Sequence, residues 1–139
     1  MKINQKTSLN YIHTGLLFIR IGIGIMFILH GFPKLFGGVD TWTAVGGAMK
    51  SIGIDFLPAF WGFMAGFAEV IGGLLLILGL AFVPSALMLT FTMLIAFLKH
   101  YSGGDGFMGS AHPFELMILF IGLAITGPGK YRLSALIVK

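Results

Sequence analysis

The chain of 139 residues contains no cysteine, and only 10% of it is charged. The missing cysteine excludes disulfides, intrinsic thiol–disulfide exchange, iron–sulfur ligation and covalent haem attachment. The scarcity of charge excludes an ordinary soluble domain, in which about a quarter of residues are charged. Acids are scarcer still, five against nine Lys and Arg, and proline occurs five times. No nucleotide-binding glycine loop and no nucleophile–base pair is legible. No internal repeat and no low-complexity tract appears.

What is present is apolar. Hydrophobic residues make up 57% of the chain, with 21 glycines and 14 phenylalanines. Such a composition cannot cover its own core with polar surface, so lipid is the expected solvent. Glycine without a collagen period suits close helix packing in a bilayer. Lys2 and Lys6 resemble the start of a signal peptide. The apolar run behind them is long, carries Arg20 and lacks a small-x-small cleavage site, so it reads as a retained helix.

Four runs approach the roughly 20 residues of a membrane span: 10–31, 57–80, 83–101 and 112–127. The pattern predicts an all-α, antiparallel four-helix membrane bundle occupying 1–139 as one domain. Pro84 and Pro113 suit the first turns of the third and fourth helices. A hairpin of two or three residues joins the second helix to the third. In the long first loop, "DTWTAVGGAMKSIG" spaces Trp42, Val45, Met49 and Ile52 as on a helix face, with Asp40 at its start. It reads as a short interfacial helix anchored by Trp42. The third loop, "SGGDGFMGSA", reads as flexible.

Lys2, Lys6, Lys130, Arg132 and Lys139 flank one end of the bundle; Lys34, Lys50 and Lys99 flank the other. The positive-inside rule then places both termini in the cytoplasm of a multi-pass inner-membrane protein. The same rule accounts for the net charge of +4 without a nucleic-acid partner.

A charge at membrane depth is a functional hypothesis by default. Counting from the outer helix ends, Arg20 lies about 16 Å deep and Glu69 about 18 Å deep. The expectation is an Arg20–Glu69 ion pair between glycine-lined helices, read either as a structural clamp or as a ligand- or proton-binding group. A second group gathers at the outer ends: His30, Lys34, Lys99, His100, His112 and Glu115, the last two at i and i+3. Three histidines and a carboxylate suggest a metal, and two histidines a haem b. The scatter of these residues, and the habit of interfacial His and Lys of snorkelling to water, argue against both. A polar pocket for a small ligand remains, with the outer aromatic side chains as wall for a quinone-like ring or as plain interface packing. His13 lies at the opposite end and reads as solvated.

"LFIRIGIGIMFILHGFPKLFG", "GFAEVIGGLLLILGL", "HPFEL" and "LAITGPGKYRL", in that order, resemble the DoxX family of small membrane proteins over about residues 16–133. The matching features are Arg20, His30-Gly31, Lys34, Glu69 with Gly72-Gly73, Gly79, His112, Glu115 and Gly127-Pro128-Gly129. The chain departs from that pattern after Tyr131, where Arg132-Leu133-Ser134 stands in place of Ser-Leu-Asp. The resemblance implies a four-helix bundle and, for some relatives, a link to redox systems, one of them a thiosulfate:quinone oxidoreductase. The leading expectation is an accessory or quinone-linked component of a membrane redox complex rather than a stand-alone enzyme. It would work with a partner subunit or as a homo-oligomer in the bilayer. A small permease using Glu69, Arg20 and Glu115, and a purely structural assembly subunit, are the two alternatives.

Overall fold

The computed structural model describes residues 5–137 of the chain. Helix α1 runs Gln5–Leu35, α2 Gly38–Gly46, α3 Pro58–Leu78, α4 Phe82–Ser102, α5 Gly106–Thr126 and α6 Ser134–Ile137. A 3-10 segment, Gly47–Ile52, continues α2. Among the described residues α1, α3, α4 and α5 are long and apolar enough to cross a membrane. With their exposed faces carrying side chains such as Phe18, Leu29 and Ile125, the chain is a multi-pass helical membrane protein.

Local chemistry sets most boundaries. Pro58 occupies the first turn of α3, where a missing N–H costs nothing. Gly79 ends α3 in the left-handed conformation, its N–H returning to the last turn. The α3–α4 turn is therefore only residues 79–81, as tight as the sequence suggests. The α4–α5 connection is shorter than expected. Residues 106–111, expected in a flexible loop, form the first turns of α5, so Pro113 lies inside that helix and is buried. Proline there removes one backbone donor near the helix start, and the helix tolerates it. Ser110, also buried, returns its hydroxyl to the carbonyls of Gly106 and Phe107 and helps hold that first turn. The fourth span thereby reaches 21 residues instead of the short 112–127 run.

The packing is layered by neighbour. α1 lies on α3, α3 on α4 and α4 on α5, while α1 and α5 make no close backbone contact. Phe82, Ala86, Leu89 and Met93 form one buried face of α4. They pack with Leu76 of α3, Phe120 and Leu123 of α5 and Phe27 of α1. Phe27 and Phe120 meet edge to face at 4.9 Å between ring centroids and close the gap between their helices.

The helix ends are not level. Leu35, which ends α1, lies against Gly66, eight residues into α3 and about 12 Å from its start. The space beside the first turns of α3 is filled by α2, as part of the predicted short helix. There Gly46 crosses Gly62: a Cβ on either would overlap the backbone of Pro58 or Trp42. Trp42 is half-buried, and its indole Nε1–H donates to the carbonyls of Lys34 and Leu35 at 2.9 and 3.2 Å. Trp42 thus caps the C-terminus of α1.

Candidate functional site

The offset between α1 and α3 decides which charges meet. Gly31 faces Glu69, and Gly24 faces Gly73. One turn beyond Gly31, Lys34 places Nζ 2.7 and 2.8 Å from the two carboxylate oxygens of Glu69. The expected Arg20–Glu69 pair does not form. It assumed that the outer ends of the two helices are level, whereas Gly31 lies beside the middle of α3. Arg20, eleven residues further back on α1, therefore reaches the far end of α3.

Arg20 is fully buried there and has no carboxylate partner among the described residues. Its Nε donates to the Leu76 carbonyl at 2.8 Å and Nη2 to that of Ile77 at 2.9 Å. Nη1 donates to the carbonyls of Pro128 and Tyr131, each at 2.6 Å. The first two are carbonyls of the last turn of α3, where the helix supplies no i+4 donors and the macrodipole favours a cation. Phe82 lies 5.4 Å from the guanidinium carbon and shields it. The segment after α5 is tied down further by Leu133 N–H to Leu78 O and by Ser134 Oγ to Gly79 O. Arg20 is thus a structural clasp that joins α1, α3 and the C-terminal segment. His13 is not plainly solvated: it is half-buried, Nδ1 is buried without a partner among the described residues, and Gly129 packs beside it.

Two cavities share the Lys34–Glu69 pair. The larger, about 520 Å³, lies between α3, α4 and the α2–3-10 segment. Its walls are apolar, with Met49, Trp61, Ala68, Met88, Phe91 and Ile95 among them. Lys34, Glu69, Thr92, Lys99 and His100 are its polar groups. Trp61 brings an indole N–H that is buried and unpartnered among the described residues. Phe60, Met64 and Phe91 line the same cavity and are exposed on the lipid-facing surface of α3 and α4. The smaller cavity, about 170 Å³, lies between α1, α4 and α5 and is lined by His30, Lys34, Glu69, His100 and His112 with apolar neighbours.

Of the residues expected in an outer pocket, His30, Lys34, His100 and His112 surround the smaller cavity and Lys99 the larger one. Glu115 is exposed and lines neither. His100 Nδ1 lies 2.7 Å from Asp105 Oδ2, which fixes the ring at the cavity rim. Glu69, expected at another depth, belongs to this polar centre; no spacing along one helix shows that, because it depends on the α1–α3 offset. Trp61 carried no sequence signal beyond being one of many aromatics. Among the described residues no three His, Asp or Glu side chains converge to hold a metal ion.

Four spanning helices around a Lys–Glu pair whose acid is buried, with an apolar chamber on one side and a histidine-lined one on the other, define a small polytopic membrane protein with an internal ligand-sized site. The sequence profile of the DoxX family matches residues 15–102, and the chain belongs to that family. It is 30% identical over 126 residues to the Bacillus subtilis (strain 168) protein named "Putative oxidoreductase CatD", covering 90% of this chain and 88% of that one. It is 34% identical over 128 residues to the Escherichia coli (strain K12) "Inner membrane protein YqjF", covering 90% and 93%. A Haemophilus influenzae protein without a descriptive name is 36% identical over 107 residues, covering 76% and 74%. No solved structure matches the chain.

Proposed function

We propose that this protein is the membrane-embedded, ligand-binding component of a redox system and that it takes a quinone-type ring into the larger cavity. The observation that carries this reading is the chamber itself. Its volume of about 520 Å³ lies within the ordinary range for small-molecule sites, and its walls are apolar with few polar groups. Lys34 offers a donor to a ring carbonyl oxygen, and Glu69 an acceptor to the ring hydroxyl that forms on reduction. Phe60, Met64 and Phe91 line it from the lipid side, which suits a ligand dissolved in the bilayer. The relative named as an oxidoreductase supports the same reading.

The electrons come from a partner subunit. The chain has no cysteine and hence no thiol redox chemistry of its own. The protein sits in the plasma membrane with both termini in the cytoplasm and the Lys34–Glu69 end toward the outside, in keeping with the five-to-three excess of basic residues at the terminal end. The permease alternative finds little support, since Arg20, Glu69 and Glu115 share no cavity. Gentle detergent purification followed by solvent extraction and mass spectrometry tests the reading. A quinone at near-stoichiometric yield, together with a redox subunit, is expected. A chain that purifies with neither, and does not take up added decylubiquinone, contradicts it.

A further inference from the structure

The smaller cavity has no part in holding a ring, and it differs in kind from the larger one. Its volume of about 170 Å³ has room for about six water molecules at liquid density. Histidines approach it from three helices: His30 on α1, His100 on α4 and His112 on α5. His30 and His112 are exposed and mark its mouth, where α1 and α5 stand apart. Glu69, 2% exposed, forms its inner wall and is shared with the larger cavity.

The charges around it limit what it can take. Lys34 is bound to both oxygens of Glu69, so it is no free cation for an anion. Lys99 belongs to the larger cavity, and Asp105 engages His100. The α2–3-10 segment contributes no titratable group to either wall. What remains is imidazole, which can accept a proton on one ring nitrogen and donate one from the other, around a space of water dimensions that leads to a buried carboxylate.

We propose that the smaller cavity is a water-filled proton inlet, running from His30 and His112 to the Lys34–Glu69 pair, and separate from the lipid-side entrance of the larger cavity. The step is proton transfer alone. A proton passes from an imidazolium or a hydrated proton to the Glu69 carboxylate, while Lys34 keeps its own. The resulting O–H gives that proton to a basic ring oxygen in the larger cavity, and Glu69 returns to carboxylate. The electrons that make the oxygen basic come from the partner donor. The inlet rests on the quinone reading only for the proton's destination.

The natural absence of cysteine makes the test direct. Leu116→Cys and Met93→Cys place thiols in the inlet, and Phe91→Cys places one on the lipid side. Each variant is reconstituted in phosphatidylethanolamine–phosphatidylglycerol vesicles. A small charged thiol reagent, present on both sides, is expected to modify the first two and not the third, which reacts only with a lipid-soluble maleimide. If both inlet cysteines stay unmodified while reacting freely after detergent denaturation, or if Phe91→Cys reacts with the charged reagent, the separate inlet is wrong. Infrared spectra after a pH jump supply the second readout. A carboxyl band that Glu69→Gln removes is expected to rise in a fast phase, and His112→Phe is expected to abolish that phase. No such band, or an unchanged fast phase, overturns the proton route. Inlet labelling and a Glu69 band without quinone uptake would instead remove the quinone reading and leave the inlet standing.

Discussion

Lys34 and Glu69, thirty-five residues apart in the chain, form a bidentate ion pair at 2.7 and 2.8 Å in which the acid is 2% exposed and the base 35%. The two partners therefore do not stand to lose equally. Lys34→Met strands a buried carboxylate, whereas Glu69→Gln leaves a lysine that can turn its ammonium toward water. Orphaning a buried charge costs on the order of 3–5 kcal/mol, and the lysine variant is expected to approach that figure while the glutamate variant falls clearly below it. The double variant is expected to be milder than Lys34→Met alone. Thermal unfolding in detergent measures all three; equal losses for the two single variants would show that the asymmetry of burial does not govern the pair.

Arg20 makes the opposite case, a buried cation held by carbonyls alone. A lysine keeps the charge but has three donors on one nitrogen and cannot span carbonyls of α3 and of the C-terminal segment together. Arg20→Lys is expected to destabilise by on the order of 3 kcal/mol, since charged hydrogen bonds contribute about 1.5–3 kcal/mol each and more than one is lost. Limited proteolysis should then cut after Thr126 before it cuts elsewhere. Protection of residues 127–133 equal to that of the unaltered protein would mean that Arg20 does not hold the segment.

The spans were legible because unbroken apolar runs have few other readings, and the hairpin because only two or three residues separate the second run from the third. Pro113 misled, because its usual place in a first turn hid about two turns of α5 before it. The charges misled for a deeper reason. Depth counted along each helix assumes level ends, and α2 fills the level at which α1 was expected to end. The same offset brings Glu69 to Lys34 and sends Arg20 to Leu76. The role of Gly127-Pro128-Gly129 was equally hidden, since it lies in the Pro128 carbonyl, offered to a side chain more than a hundred residues earlier.

The crossing of α2 over α3 gives another expectation. A methyl on Gly46 or Gly62 meets backbone, which cannot step aside as a side chain would. Gly62→Ala should push α2 outward, break the cap that Trp42 places on Lys34 and Leu35, and cost at least about 1–3 kcal/mol as overpacking. Fluorescence of Trp42, isolated in a Trp61→Phe background, should shift to the red as its indole loses burial. An unshifted emission would show that the crossing tolerates a Cβ.

A ring received in the larger cavity beside the Lys34–Glu69 pair meets Trp61 in the wall, whose indole reports on it directly. With Trp42→Phe, Trp61 is the one indole left in the chain. Titration with decylubiquinone in vesicles is expected to quench its emission along a saturable curve. Ala68→Phe, which fills the chamber, is expected to abolish the saturable part and leave the weak linear quenching of quinone dissolved in lipid. Quenching that is linear in the unfilled protein, or that saturates equally in the filled one, would contradict the assignment of this cavity as the ligand site.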